Sequence, residues 1–203
     1  MTHEQLQEAL LTVRYLLDGR RRTNRFPPTQ EAFRRFLEAE SKPKRILIAC
    51  KGNICRSPYA EAKLRQLLTR ASLNQINVHS CGILTTPGKS CHPLALKIAS
   101  ERGIDLTHHQ TMSVSAIDLS GIDLILLMDP RHEEALTGGN NRVKEKSALL
   151  ASFALARLRN VVIADPYRDE SVPTNDDIFR QCFDKIDLAL ERLVKLIAEG
   201  NAR

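Results

Sequence analysis

The stretch of residues 46–62 constrains the fold more than any other part of the chain, because three kinds of local structure meet in it. It opens with the apolar residues 46–48, a run typical of a buried parallel strand. Ser57 and Pro58 then suit the cap and first turn of a helix, where the missing N–H of proline costs nothing. We therefore predict a strand, a tight loop and a helix in immediate succession.

The predicted loop carries a cysteine and an arginine, Cys50 and Arg56. A loop that runs into a helix N-terminus points several backbone N–H groups at one place, which creates a seat for an anion. The amides, the helix dipole and Arg56 all favour the thiolate of Cys50, and a guanidinium can bind two oxygens of a phosphate. Gly52 and Asn53 tolerate the backbone angles that such a loop needs. The pattern predicts attack by Cys50 on phosphorus. The competing interpretation is a structural cysteine beside a surface arginine.

The loop resembles the signature C-x-G-N-x-C-R-S-P of the low-molecular-weight protein tyrosine phosphatases, and every fixed position is present. The resemblance covers about residues 44–199. It implies hydrolysis of phosphotyrosine monoesters through a phosphate on Cys50, with no metal or other cofactor. The residues that it implies for phosphate binding are Lys51, Gly52, Asn53, Ile54, Cys55, Arg56 and Ser57.

A second candidate element follows a predicted strand near the end of the chain. A tyrosyl oxygen that leaves phosphorus needs a proton, which a carboxylic acid at the same edge of the sheet can supply. The resemblance makes Asp165, in the segment Asp165-Pro166-Tyr167, this general acid and base. Tyr167 and Lys51 would form walls of the substrate pocket. Without the cysteine loop, the same residues would indicate an ordinary Asp-Pro turn.

The resemblance also implies a network that supports the loop. Asn53 would be held in a strained conformation by Ser57, Ser80 and His108. Ser57 would in addition donate a hydrogen bond to the Cys50 thiolate. Cys55 would pair with Cys50 on oxidation.

Beyond the loop, apolar runs alternate with amphipathic segments. The predicted strands are residues 46–48, 76–80, 122–128 and 161–163, and the predicted helices are residues 57–70, 93–102, a short segment ending near 136, and 176–199. Such alternation predicts an α/β fold with a doubly wound, flavodoxin-like, four-stranded parallel sheet and helices on both faces. Sites in these folds lie at the carboxyl ends of the strands, where Cys50 is expected.

Residues 1–43 lie outside the resemblance, and we predict an N-terminal extension there, followed by a phosphatase domain over residues 44–203. Apolar spacing in the extension predicts two helices, over residues 4–18 and 29–40. These helices could cover an edge of the sheet, meet a second subunit or shade the catalytic loop, and the sequence leaves the three open.

Residues 1–45 carry ten Lys and Arg against six Asp and Glu, so this part of the chain holds +4 of the net charge of +6. No pattern of a nucleic-acid-binding motif accompanies the basic cluster at residues 20–25, so no nucleic acid partner is expected. We expect a solvated segment that faces a partner or inhibits the enzyme.

Composition and the first residues of the chain also bear on where the protein is located. Five cysteines without paired spacing favour reduced thiols in a cytoplasmic protein, and the first residues lack the pattern of a signal peptide. No apolar run approaches the length of a membrane span. The expected partner is a tyrosine-phosphorylated protein, and the oligomeric state stays open.

Three alternative functions differ at identifiable positions. Thioredoxin-coupled arsenate reductases share the fold and loop but need two further cysteines after the third strand, and residues 129–133 hold none. Protein arginine phosphatases carry Thr where Ile54 stands. A phosphotyrosine-binding module without catalysis would be expected to lack Cys50, Arg56 or Asp165, and all three are present.

Overall fold

The computed structural model describes residues 27–40, 43–154, 162–167 and 174–201. Four strands form one sheet: β1 (Lys44–Cys50), β2 (Ile76–Gly82), β3 (Leu124–Leu127) and β4 (Ser147–Leu149). All neighbours are parallel, and their order across the sheet is β2-β1-β3-β4. This is the doubly wound order of flavodoxin-like folds, and the predicted fold class is confirmed.

Six helices surround the sheet in the described ranges: α1 (Pro27–Glu38), α2 (Arg56–Arg70), α3 (Pro93–Glu101), α4 (Arg131–Thr137), α5 (Asn141–Lys144) and α6 (Asp176–Asn201). The predicted bounds of α2, α3 and α6 differ from these by one or two residues. Gly103 ends α3 as predicted, because its positive φ of 68° lets Ile104 N donate back to Ala99 O. None of the described helices has the length and apolar composition to cross a membrane.

The two faces of the sheet bury different side chains of the same strands. Ile46 and Ile48 of β1 pack with residues of α1, α2 and α6, whereas Leu47 and Ala49 pack with residues of α4 and α5. Successive residues of a strand point to opposite faces, so a strand that is apolar throughout must be covered on both sides. This explains the continuous apolar run in the sequence.

The fourth strand is the main correction to the sequence-based prediction. Residues 162–163, which we predicted as part of it, are not in a strand, and β4 is formed by Ser147–Leu149 instead. The β-branched Val162 and Ile163 resemble a buried strand in composition. Ile163 N donates one hydrogen bond to Met128 O, at 2.9 Å, just past the end of β3. The segment therefore runs along the carboxyl edge of the sheet without extending it.

The described helix of the N-terminal extension packs on the edge of the sheet at β4. Phe36 of α1 is buried, and the ring of Phe33 contacts that of Phe153 edge-on with centroids 5.3 Å apart. Lys44 Nζ donates to Phe36 O and Leu37 O at 2.8 and 2.7 Å, which caps the end of α1. Of the three positions that the sequence left open, α1 occupies the sheet edge, and it begins two residues before the predicted start. The other predicted helix, over residues 4–18, lies outside the described residues.

Candidate active site

Cys50 and Arg56 flank a loop at the carboxyl edge of the sheet. Cys50 is the last residue of β1 and Arg56 the first of α2, so a central strand and a helix fix the loop at both ends. Both residues are buried, with exposed fractions of 2% and 3%. The loop borders a cleft of about 120 Å³. The cleft is lined by Cys50, Lys51, Gly52, Ile54, Cys55, Arg56, Leu84, Asp165 and Tyr167.

The sulfur of Cys50 has polar neighbours that favour its anion. Asn53 N donates to Cys50 Sγ at 3.2 Å, and Ser57 Oγ lies 3.0 Å from the same sulfur. Ser57 Oγ accepts a hydrogen bond from Asn53 Nδ2 at 2.8 Å, and its own hydrogen can be donated to Cys50 Sγ or, at a longer 3.4 Å, to Cys81 O. Hydrogen bonds donated to a thiolate stabilise it over the thiol.

The other four cysteines have surroundings of the opposite kind. Burial is the main reason that the pKa of Cys81, Cys91 and Cys182 is raised to about 12. Burial likewise raises the pKa of Cys55 well above its usual range, and the negative charge of Asp165 adds to the effect. These four side chains are protonated thiols at neutral pH, and Cys50 is the candidate nucleophile because its sulfur borders the cleft beside Asn53 N and Ser57 Oγ.

Asn53 shapes the loop from inside it. The residue is fully buried and has a positive φ of 54°, a conformation that costs a non-glycine residue about 1 kcal/mol or more. Its side chain donates through Nδ2 to Ser57 Oγ and to Ser80 Oγ, the latter at 2.9 Å, and accepts from Met112 N at 2.9 Å. The contacts expected of Ser57 and Ser80 are therefore present, and they hold the loop in its strained form.

The predicted histidine of this network is displaced by one position. His108 is exposed, and it is His109 whose Nε2 lies 3.0 Å from Asn53 O. A turn closed by His109 N donating to Leu106 O places His109 beside the loop. Because a carbonyl can only accept, Nε2 of His109 carries the hydrogen in this contact. Two adjacent histidines cannot be told apart by their place in a motif, since only the turn decides which one faces inward.

Arg56 is held by the loop that carries the candidate acid. Its Nη1 donates to Ile163 O at 3.0 Å and its Nη2 forms a short ion pair with Asp165 Oδ2. Burial opposes the charge of Arg56, but the pKa of Arg56 is nevertheless raised, and the carboxylate of Asp165 is the largest cause of the rise. The buried Nε has no hydrogen-bond partner among the described residues. The guanidinium is therefore charged, and its Nε–H is one of the donors still available to an anion.

Asp165 and Tyr167 both line the cleft, although the segment before them is not the strand that we predicted. The carboxylate of Asp165 is about a quarter exposed and accepts a weak hydrogen bond from Tyr167 N at 3.4 Å. Tyr167 and the exposed Lys51 both line the cleft, as expected of pocket walls.

Leu84 is a cleft residue that the motif reasoning missed. It is 71% exposed, and its backbone N donates to Lys51 O at 2.9 Å, which attaches it to the loop after β1. An exposed leucine carries no signal in the sequence. Its place depends on the pairing of the chain after β2 with the loop after β1.

His132 is a second residue that the sequence motif did not single out. Its electrostatic neighbours include Arg56 and Lys51 of the cleft. Burial is the main reason that its pKa is lowered to about 4, and the positive charges of Arg56, Arg131 and Lys51 also lower it. Its buried Nδ1 has no partner in the described part of the chain. In the sequence, residues 129–133 are informative only because they contain no cysteine, and no motif marks the histidine.

Comparisons with known proteins agree with this geometry. The profile of the family described as low molecular weight phosphotyrosine protein phosphatase matches residues 45–202. EpsP from Ralstonia nicotianae, a "probable low molecular weight protein-tyrosine-phosphatase", is 36% identical over 127 residues, which cover 63% of this chain and 81% of EpsP. The protein-arginine-phosphatase of Bacillus subtilis is 29% identical over 150 residues, which cover 75% of this chain and 94% of the relative.

A solved structure extends the similarity to three dimensions. Wzb of Vibrio vulnificus, in complex with benzylphosphonate, matches with a TM-score of 0.63 and 31% sequence identity. The match covers 75% of this chain and 98% of Wzb. With a family profile matched over residues 45–202 and relatives covered over most of their length, this chain belongs to the low molecular weight phosphotyrosine protein phosphatase family.

Proposed function

We propose that the protein hydrolyses phosphotyrosine in proteins through a phosphate carried on Cys50. The observation that carries this proposal is the meeting of three groups at one cleft: the sulfur of Cys50, the guanidinium of Arg56 and the carboxylate of Asp165. Nucleophile, oxyanion binder and proton donor are the groups that hydrolysis of a phosphate monoester needs.

Binding begins with a competition for Arg56. A phosphate group can take the guanidinium through two parallel hydrogen bonds, which makes it a strong competitor for the carboxylate of Asp165. Asp165 is partly exposed and can turn away from Arg56 toward the mouth of the cleft. A carboxylate that is displaced next to a phosphate dianion binds a proton more readily, because like charges disfavour the ionised form. Substrate binding would thus release Asp165 from Arg56 and favour the protonated form of its carboxyl group.

In the first chemical step, the Cys50 thiolate attacks phosphorus. A sulfur–phosphorus bond forms while the bond from phosphorus to the phenolic oxygen breaks, and Asp165 donates its proton to that oxygen. Arg56 and the backbone N–H groups of residues 51–57 stabilise the charge on the phosphoryl oxygens. Lys51, Gly52, Ile54 and Cys55 would contribute through the backbone.

In the second step, water attacks the phosphorus atom of the intermediate. Asp165, now a carboxylate, accepts a proton from the water as the sulfur–phosphorus bond breaks. The departing Cys50 thiolate is stabilised by Asn53 N and by the hydroxyl of Ser57. The products are inorganic phosphate and the enzyme in its starting form.

The cleft walls favour an aromatic substrate. Tyr167 and Leu84 provide flat and apolar surface beside the sulfur, which suits a phenol ring. The relative from Bacillus subtilis acts, by its name, on arginine, so phosphoarginine is the competitor to test. Arginine phosphatases carry Thr at the position of Ile54, which is why we favour tyrosine here.

We further propose that residues 44–203 form the phosphatase domain and that residues 1–43 are an extension whose helix α1 braces the sheet edge. The partner would be a tyrosine-phosphorylated protein. A cytoplasmic location is supported by five free, buried thiols, including a nucleophile that must stay reduced.

The proposal is tested by turnover of three peptides that share one sequence and carry phosphotyrosine, phosphoserine or phosphoarginine. We expect release of phosphate from the phosphotyrosine peptide, with the others much slower, and no release by Cys50→Ser, a protein of nearly the same shape. Equal or faster turnover of phosphoarginine would replace the proposed substrate. Full activity of Cys50→Ser would overturn the mechanism.

A further inference from the structure

His92 connects three elements around the cleft. It is the residue that caps α3: its Nδ1 accepts a hydrogen bond from Leu94 N at 3.2 Å. Its own backbone N donates to Ile54 O at 2.9 Å, which attaches the start of α3 to the phosphate-binding loop. Since Nδ1 is an acceptor, the ring is the neutral form with its hydrogen on Nε2, and burial, which lowers the pKa of His92, agrees with this.

The ring of His92 lies between two other aromatic rings. One is Tyr167, whose centroid is 4.6 Å away at an interplanar angle of 37°, and the other is Phe179 of α6, at 5.2 Å and 19°. Phe179 is fully buried and meets Phe183 edge-on at 6.2 Å, and Phe183 stacks on Tyr59 of α2 at 3.7 Å. A column of five rings therefore runs from the core to the wall of the cleft, and His92 is its last link before Tyr167.

We propose that His92 is a positioning residue that holds the ring of Tyr167 as a wall for the phenol ring of the substrate. The inference rests on the proposed function and concerns affinity for the organic part of the substrate. Tyr167 lies two residues after Asp165 on a segment without regular secondary structure, so its ring needs a support from outside the segment. His92 supplies it from a helix that is itself tied to the phosphate-binding loop.

The capping and stacking functions of His92 can be separated by substitution. Asparagine is a good capping residue but offers no ring, whereas phenylalanine offers a ring but no capping acceptor. If the ring matters, His92→Asn should lose substrate affinity and His92→Phe should keep it. If only the cap matters, the order should be reversed.

The expected effect is confined to the Michaelis constant. A wall that contacts substrate and transition state equally changes KM without changing kcat. For His92→Asn we expect KM for the phosphotyrosine peptide to rise about 3- to 10-fold, the range of one aromatic pair, with kcat nearly unchanged. The dissociation constant of inorganic phosphate, measured by calorimetry, should stay at the wild-type value, because phosphate does not reach the wall.

Coupling to Tyr167 completes the test. In a Tyr167→Ala background, His92→Asn should have no further effect on KM, since the ring that it supports is absent. Additive effects, or an equal loss in His92→Phe, would overturn the inference. Wild-type protein that fails to hydrolyse phosphotyrosine would instead overturn the proposed function. Thermal melts verify folding, and His92→Ser, which also keeps a capping oxygen, replaces His92→Asn if the latter melts early.

Discussion

At the scale of single residues, the proposed acid, Asp165, forms an ion pair with the proposed anion binder, Arg56. The ion pair between Asp165 and Arg56 places the carboxylate where a phosphoryl group would bind. The same contact keeps the guanidinium charged, at a residue that is almost entirely buried. We therefore expect Asp165 to weaken phosphate binding, because it competes for Arg56, and to speed turnover, because it supplies a proton. The two effects can be measured separately.

Replacing Asp165 by asparagine should strengthen phosphate binding and weaken catalysis. The uncharged amide competes less for Arg56, so inorganic phosphate should bind more tightly by calorimetry. Turnover of a phosphotyrosine peptide should fall about 10²- to 10⁴-fold, because the leaving oxygen no longer receives a proton. Glu134→Gln, which removes an exposed charge on α4, is the matched control and should change neither quantity. Full activity of Asp165→Asn would show that another group is the acid.

Oxidation should involve Cys55. Peroxide would convert the Cys50 thiolate to a sulfenic acid, which the Cys55 thiol can condense with, releasing water and forming a disulfide. Inactivation by peroxide should be reversed by added thiol in the wild type. In Cys55→Ser no disulfide protects the sulfenic acid, so a second peroxide can oxidise it to a sulfinic acid, and inactivation should become largely irreversible. Cys81→Ser, which removes another buried thiol, serves as control. Equal recovery of wild type and Cys55→Ser would count against this pairing.

His132 should make the folded state sensitive to acid. Its pKa is lowered from 6.5 to about 4, so below the unfolded value the unfolded chain binds more protons and stability falls. The loss begins near pH 6.5 and continues down to about pH 4, and it amounts to about 3 kcal/mol at most. His132→Asn cannot be protonated there, so its urea midpoint should fall less over this range than that of the wild type. Parallel curves for the two proteins would contradict the assignment.

At the scale of elements, the first described helix belongs to the hydrophobic core although it lies outside the family match. Ala32 and Phe36 of α1 are buried in the same cluster as β1, α2 and α6. The match to the family begins at residue 45, after this helix. This helix, outside the matched range, therefore covers the edge strand β4.

Phe36→Ala should reveal how much α1 stabilises the domain. Removing a fully buried phenylalanine side chain typically costs about 3 to 5 kcal/mol, measured by urea unfolding. Arg34→Ala on the exposed side of α1 breaks only surface ion pairs with Glu31 and Glu38 and should cost less than about 1 kcal/mol. Equal unfolding midpoints for the two variants would mean that α1 contributes little.

At the scale of the whole molecule, the sequence predicted what depends on local chemistry. The run from Cys50 to Pro58 contains its own strand end, loop and helix start, so this succession followed from the residues, although the helix begins at Arg56 and Ser57 does not cap it. The contact of Asn53 with Ser57 was implied by the family resemblance. The alternation of strands and helices likewise predicted the sheet.

Features set by distant parts of the chain could not be predicted in this way. The three-residue strand β4 is too short to carry a pattern, and Leu84 and His92 become site residues only through backbone hydrogen bonds to the loop after β1. The choice of His109 over His108 depends on one turn. These positions can be recognised only when the whole fold is known.

The central claim is that phosphate is carried on the sulfur of Cys50. The most direct measurement is acid quenching of Asp165→Ala during turnover of 4-nitrophenyl phosphate, whose leaving group needs no proton, followed by digestion and mass spectrometry. The mechanism predicts a phosphoryl group on the peptide that contains Cys50, which accumulates because the base for its hydrolysis is missing. Release of 4-nitrophenol with the phosphoryl group on another residue, or with none on the protein, would contradict it.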